Sequence, residues 1–519
     1  MESFVNEYGH KTNCILQGFD RIIIKGHIKD FYHANNFYYF LEKESTRLKD
    51  FKEYVIKVTG QIKQHIKELI ELNGCCYEYL NDPRRSKEEI AKQIMAEHPD
   101  MEGLICVISD VEPCYSLTIK YNEKTRKLEK QNEFRKCQHY YFYFNDRELG
   151  FMHVRLQTWF PFGIQIYING KEYLKKRLTK QGISFTSHDN SITSVSDPEK
   201  AQAISDTFIE NKWNKTFDHF ANMVNGYLPR IREIFNHHGY YWYIEQCEYA
   251  SDVLFKDRNT LESVYPHFLE YASLCQMGEN IFTFFGRKVH HLCKGEAVSD
   301  RKHFWGQGFR VKFTLDKNFL KLYDKSNVLR IETTINNAGA FKILNPNQQG
   351  KKKWVPMGKN ISNLYRYAEI MKKCNERYLN SLAAVNKNGD LGKSIENLCH
   401  PVKTKLSKNS LNERYYSAFN LLKDLSCNLF NSVMNGAYMI RGFTTKQLTQ
   451  SLIALYSFPK ESVHNMKKLI AKVGRLIAKL RAHGLVIKLP KTFRYRVTKK
   501  GQEILTRILM FKKIDLKFC

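Results

Sequence analysis

The sequence predicts an α+β chain: a helical N-terminal region, a central module of antiparallel sheet and helices, and a small, basic C-terminal domain. Three observations carry this. Period-two runs dominate the middle of the chain, and apolar residues three and four apart dominate its two ends. The stretch 386–410, rich in Asn, Gly, Lys, Ser and Pro, follows neither period and reads as a linker. The expected divisions are therefore 1–100, 101–385, the linker 386–410, and 411–519.

Bulk composition narrows the function. Hydrophobic residues make up 43% and aromatic residues 13% of the chain, values typical of folded proteins. Lys plus Arg outnumber Asp plus Glu by 82 to 53, a formal charge of +29. Such an excess implies a polyanionic partner, because neutralised phosphates release condensed counterions. Nucleic acid is expected, DNA ahead of RNA. No apolar run reaches the roughly 18 residues of a membrane span. The opening MESFVNEYGHKTNC lacks the regions of a signal peptide, so a cytoplasmic protein is expected. The 13 cysteines are scattered without Cys-x-x-Cys pairs and read as free thiols.

Taken in order, Ser45–Leu72 has the apolar spacing of a long amphipathic helix that stops at Asn73-Gly74. A second helix opens at Ser86-Lys87-Glu88-Glu89, a capping box, and ends before Pro99. Strands follow at Leu104–Ser109, Ser116–Tyr121, His139–Phe144, Phe151–Thr158 and Ile164–Asn169. The aromatic runs Tyr140–Phe144 and Trp159–Phe162 suit either a core or a base-stacking platform. Helices are expected at Gly170–Gln181, Pro198–Met223 and Leu228–His237. Reading Tyr240–Lys256 as a further helix puts Glu245, Glu248 and Asp252 at i, i+3 and i+7, on one face. That face can offer Glu248 and Asp252 to a divalent cation, or it is a solvated acidic stripe.

The richest stretch is Gly308–Asn337, where two alternating runs flank a Lys-Ser-Asn turn and predict a hairpin. Pairing of Leu320–Asp324 with Val328–Thr334 gathers Tyr323, Asp324 and Glu332, with Lys321, Lys325 and Arg330 close by. Acid, hydroxyl and cation together suit phosphodiester chemistry. In this expectation acids among Asp324, Glu332, Glu248 and Asp252 hold Mg²⁺ or Mn²⁺ and Lys325 or Arg330 neutralises a phosphate oxygen. Tyr323 attacks phosphorus in the covalent form and is structural in the hydrolytic one, where water attacks. A merely charged hairpin is the plain alternative.

At the C-terminal end, helices are expected at Ser410–Met434, Thr445–Tyr456 and Ser462–His483, then strands at Leu485–Leu489 and Phe493–Val497 and a helix from Lys500. In the third helix Val473, Leu476, Ile477 and Leu480 form the apolar stripe, leaving Lys472, Arg475, Lys479 and Arg481 outward. Lys491, Arg494 and Arg496 decorate the hairpin. Met466–Cys519 holds 16 Lys or Arg against Glu503 and Asp515.

Three likenesses add to this. The segment LIAKLRAHGLVIKLPKTFRYRVTKKG resembles a MarR-type winged helix-turn-helix, which implies DNA contacts through Lys472, Arg475, Lys479, Arg481, Lys491, Arg494 and Arg496. EGLICVISDVEPCYS, GFMHVRLQTWFPF and KLYDKSNVLRIETTINN resemble a family of bacterial proteins of about this length, and that likeness carries no activity across. NFLKLYDKSNVLRIETTIN is similar to a segment of rolling-circle replication initiators, which implies Tyr323 as nucleophile and Asp324 and Glu332 as metal ligands. The expected function is metal-dependent cleavage or nicking of nucleic acid, as in a mobile or replicative element. The alternative is a non-catalytic DNA-binding regulator or nucleic-acid-binding scaffold.

Overall fold

The computed structural model describes the chain except residues 83, 275–278, 288–296, 305–307, 347–351, 384–397, 406–412, 422, 436–437, 439–441, 456–465, 499, 503, 507 and 510–519. Its strands, in chain order, begin with β1 Thr12–His27, β2 Cys76–Tyr79, β3 Gly103–Asn122, β4 Lys127–Asp146, β5 Gly150–Gln157 and β6 Ile164–Asn169. A short hairpin, β7 Phe185–His188 and β8 Ser191–Val195, precedes β9 Tyr241–Phe255. Then come β10 Ala297–Phe304, β11 Gly308–Leu315, β12 Asn318–Lys325 and β13 Val328–Ile335. The mixed sheet has eleven strands in the order β10-β11-β12-β13-β9-β1-β6-β5-β4-β3-β2. β2 runs parallel to β3, while β3, β4, β5, β6 and β1 pair antiparallel in turn, as do β10, β11 and β12. Among the described residues no helix is long and apolar enough to cross a membrane.

Two compact units divide the chain. One comprises Cys14–Leu254 and Thr333–Lys372. Its helix Phe51–Asn73 buries Phe51, Val55, Val58, Ile62 and Ile66, and ends where Gly74 adopts a left-handed φ of 59°, which costs glycine nothing. Helix Lys87–Glu97 starts at Ser86, whose side chain accepts from the Glu89 amide. It packs Ala91 against Ile105, Ile108, Tyr143 and Phe151. Of the aromatic runs, Phe142, Phe144, Phe160 and Phe162 are at most 3% exposed and fill the core. β3 and β4 pair over their whole length, whereas β2 pairs with β3 only as far as Ser109 and β5 with β4 only from His139.

The other unit comprises Met1–Asn13, Phe255–Glu332 and Lys373–Cys519. Towards its C-terminal end, helices Asp424–Val433, Thr445–Ala454 and Met466–Ala482 share a core with the antiparallel strands β18 Val486–Lys488 and β19 Tyr495–Val497. Short pairs complete the strands: β14 Lys342–Pro346 with β15 Lys352–Pro356 in the first unit, and β16 Val402–Lys405 with β17 Glu413–Tyr416 in this one. The helix Thr445–Ala454 opens at a capping box of Thr444 and Gln447. Leu469, Val473, Ile477 and Leu480 are the buried stripe of Met466–Ala482, and Gly484, at φ 74°, closes it.

Two expectations are corrected. Residues 1–100 are not wholly helical, because the 16-residue β1 lies among them. Tyr240–Lys256 is a strand, not a helix. Its opening Tyr-Tyr-Trp-Tyr-Ile favours a pleated backbone, and Cys247–Phe255 is buried throughout, so no alternation marks it. Much of the expected linker, 384–397 and 406–410, lies outside the described residues.

Candidate metal centre

The hairpin forms as expected, with β12 and β13 joined through Ser326 at a φ of 52°. Strand alternation then sorts its side chains. Lys321 and Tyr323 share one face and converge on Glu332. The Lys321 ammonium donates to Oε1 at 2.5 Å and the Tyr323 hydroxyl to Oε2 at 2.6 Å. Asp324, next along, takes the opposite face with Leu320 and Leu322, where it is paired with Arg258. Tyr323 and Glu332 therefore meet as expected, but Asp324 does not join them. Lys325 is half-buried at the end of β12.

Glu332 is 3% exposed. Burial pushes its pKa up, but Lys321 and Arg330, with hydrogen bonds from Lys321 and Tyr323, outweigh that and hold it at about 2. Arg330 is fully buried one pleat away.

Glu248 on β9 is 4% exposed and accepts from Arg21 at 2.8 Å, Gln246 at 3.0 Å and Thr334 at 3.4 Å. Asp20 on β1 is 1% exposed, and the Asn190 amide donates to its two oxygens at 2.8 and 2.9 Å. Asp20, Glu248 and Glu332 each offer a carboxylate oxygen, and these oxygens lie within 4.8 Å of one another. A divalent cation can be held by such an all-oxygen set. β1, β9 and β13 are neighbours in the sheet order, which is how one acid per strand yields a cluster.

The remaining expected acids are elsewhere. Asp252 forms a buried ion pair with Lys171 at 2.7 Å, the two side chains 1% and 2% exposed. Glu245 accepts from Lys25 at 3.2 Å and Lys359 at 3.0 Å. Asp20 was missed because the N-terminal region reads as helical. The β-branched run Ile22-Ile23-Ile24 beside it is the signal that marks a strand. Lys321, which the hairpin reading already puts close by, does reach Glu332, because its two-residue offset from Tyr323 puts both on one face.

Of the expected DNA contacts, Lys472, Arg475, Arg481 and Lys491 are exposed. Lys479 is half-buried, donates to the Ala418 carbonyl at 2.8 Å and lies 4.2 Å over the Phe419 ring. Burial lowers its pKa. Arg494 donates to the Gly442 carbonyl at 2.9 Å, and Arg496 is half-buried on β19.

Comparison of the chain with protein-family models, curated proteins and solved structures finds no match.

Proposed function

We propose that this protein binds nucleic acid and cleaves its phosphodiester backbone with Mg²⁺ or Mn²⁺ held by Asp20, Glu248 and Glu332. The observation that carries the reading is the buried triad itself, three carboxylates with oxygens within 4.8 Å. A bound divalent cation supplies polarisation of a phosphate oxygen and a nucleophilic hydroxide near neutral pH.

The chain's own residues supply the rest. Glu332, held at about 2, is ionised at any physiological pH and needs no deprotonation to serve as a ligand. Arg21 and Lys321 neutralise Glu248 and Glu332. With Arg330 beside Glu332, three cations face three acids, so the cluster is balanced before any ion arrives. A divalent ion therefore competes with Arg21 and Lys321 for carboxylate oxygens, and a phosphodiester arriving with it gives those cations new partners. This reading has metal and nucleic acid bind together, each weakly alone. Tyr323, whose hydroxyl already donates to Glu332, orients that carboxylate, which favours hydrolysis over attack by tyrosine. The C-terminal helices and hairpin act as a winged helix-turn-helix, with Lys472, Arg475 and Arg481 towards the duplex and Lys491 and Arg496 over its backbone.

The same charge balance favours one other reading, a non-catalytic nucleic-acid-binding protein in which the cluster is structural. Labelled single-stranded and duplex DNA and RNA, incubated with Mg²⁺ or Mn²⁺, separate the two. Wild type and Tyr323→Phe are expected to cut, while Asp20→Asn and Glu332→Gln lose at least a hundredfold in rate. A wild type that cuts nothing, or Glu332→Gln cutting as well as wild type, leaves only the binding reading. A covalent adduct absent from Tyr323→Phe replaces hydrolysis with nicking.

A further inference from the structure

Phe493, at the tip of the β18–β19 hairpin, is 88% exposed, the most exposed large hydrophobic side chain among the described residues. A ring so placed contributes almost nothing to the core. The turn beneath it is well ordered by hydrogen bonds. The Leu489 amide donates to the Arg494 carbonyl at 2.9 Å, the Thr492 hydroxyl to the Leu489 carbonyl at 3.0 Å, and the Arg494 amide to the Thr492 hydroxyl at 3.2 Å. Arg494 ties the turn to Gly442. The ring is thus presented on a rigid support, which lowers the entropic cost of engaging a partner.

Charge selects that partner. Between Ala482 and Gln502 the sequence holds Lys488, Lys491, Arg494, Arg496, Lys499 and Lys500 and no acid. Lys488 lies 5.8 Å over the Phe493 ring. An apolar protein surface gains nothing from six cations, whereas a polyanion with flat apolar faces satisfies both features. Single-stranded nucleic acid is that polyanion: its phosphates meet the cations and an unstacked base meets the ring.

We propose that Phe493 stacks on an unpaired base, so that the hairpin selects nucleic acid with a junction between duplex and single strand. This rests on the nucleic-acid half of the function proposed above and is independent of the metal. Stacking needs a base free of its neighbours, which blunt duplex lacks in its interior, and Lys488 beside the ring then holds the flanking backbone.

The test uses the full chain, with fluorescence anisotropy on a labelled duplex carrying a single-stranded tail and on the same duplex blunt. Phe493→Ala is expected to melt at the wild-type temperature, bind the tailed duplex about tenfold more weakly and bind the blunt duplex unchanged. Phe493→Trp is expected to retain affinity, with its indole quenched by the tail. Equal loss on both substrates, or no loss on either, overturns the proposal. Quenching of the indole by phosphatidylserine vesicles and not by the tailed duplex assigns the ring to a lipid surface and overturns it equally. Wild type that binds neither DNA nor RNA removes this inference together with the binding reading, whereas binding without cleavage removes only the catalytic one.

Discussion

The sheet and the C-terminal helices use charge in opposite ways. On the sheet, Asp20, Glu248, Asp252 and Glu332 are at most 4% exposed, and Arg21, Lys171 and Lys321 hold three of them. In the helix Met466–Ala482, Lys472, Arg475 and Arg481 face water. Charges taken out of water depend on their partners, because each lost partner strands the other. Charges left in water act nearly independently, and salt weakens them all alike. One region is therefore fragile to single substitutions and the other is graded.

The sharpest way to break the comparison is Lys171→Met, which leaves Asp252 buried without its cation. Loss of about 3–5 kcal/mol is expected, read as a lowered urea midpoint. A loss near zero would mean that Asp252 is not stranded and that the sheet charges are as independent as those on the helix. Lys479→Ala should come next in effect. It removes a contact with Ala418 and Phe419, costing roughly 1 kcal/mol of stability with little change in nucleic-acid affinity. Lys472→Ala with Arg475→Ala should do the reverse, leaving the melting temperature within error and flattening the slope of log affinity against log salt by about two. If the two variants exchange phenotypes, the division between anchoring and contacting cations is wrong.

Acid sharpens the contrast most gently. Burial first, and Arg155 second, lower the pKa of His139 to about 4, and burial likewise lowers His153 to about 4. Both are neutral when folded but take up a proton near 6.5 when unfolded. Their contribution is thus complete above pH 6.5 and is lost as pH falls towards 4. Glu332, depressed to about 2, keeps its contribution until pH drops below the ordinary carboxylate range. Melting temperature followed from pH 7 to 4 should fall, and His139→Gln should shallow the fall. A flat profile in wild type refutes the assignment.

Local signals were legible in the sequence. Ser86 caps its helix, Gly74 and Gly484 end theirs, and the hairpin around Ser326 follows from alternation on both sides. The two strands in the middle of the sheet, β1 and β9, were not. β9 is buried through its second half, so polar and apolar residues do not alternate and Glu248 mimicked a helical face. Asp20 and Glu248 are 228 positions apart, and no periodicity reports a partner so distant. Asp324 was misplaced for a different reason: it is adjacent to Tyr323 in sequence, and adjacency in a strand means opposite faces.

The long ribbon of β3 and β4 has a consequence for behaviour in bulk solution. Past Ser109 on one side and His139 on the other, neither β2 nor β5 accompanies it. Single bonds, such as the Leu117 amide to the Phe160 carbonyl and the Gln157 side chain to the Tyr115 carbonyl, stand in place of a strand, and an edge so thinly covered invites the edge of another molecule. Pro113 removes a donor from one edge, and Lys120, Glu133 and Arg135 lace the surface with both signs, Lys120 and Arg135 each reaching Glu133 at 3.1 and 2.9 Å. Neutralising that lacing would let concentration, not temperature, decide when the protein precipitates.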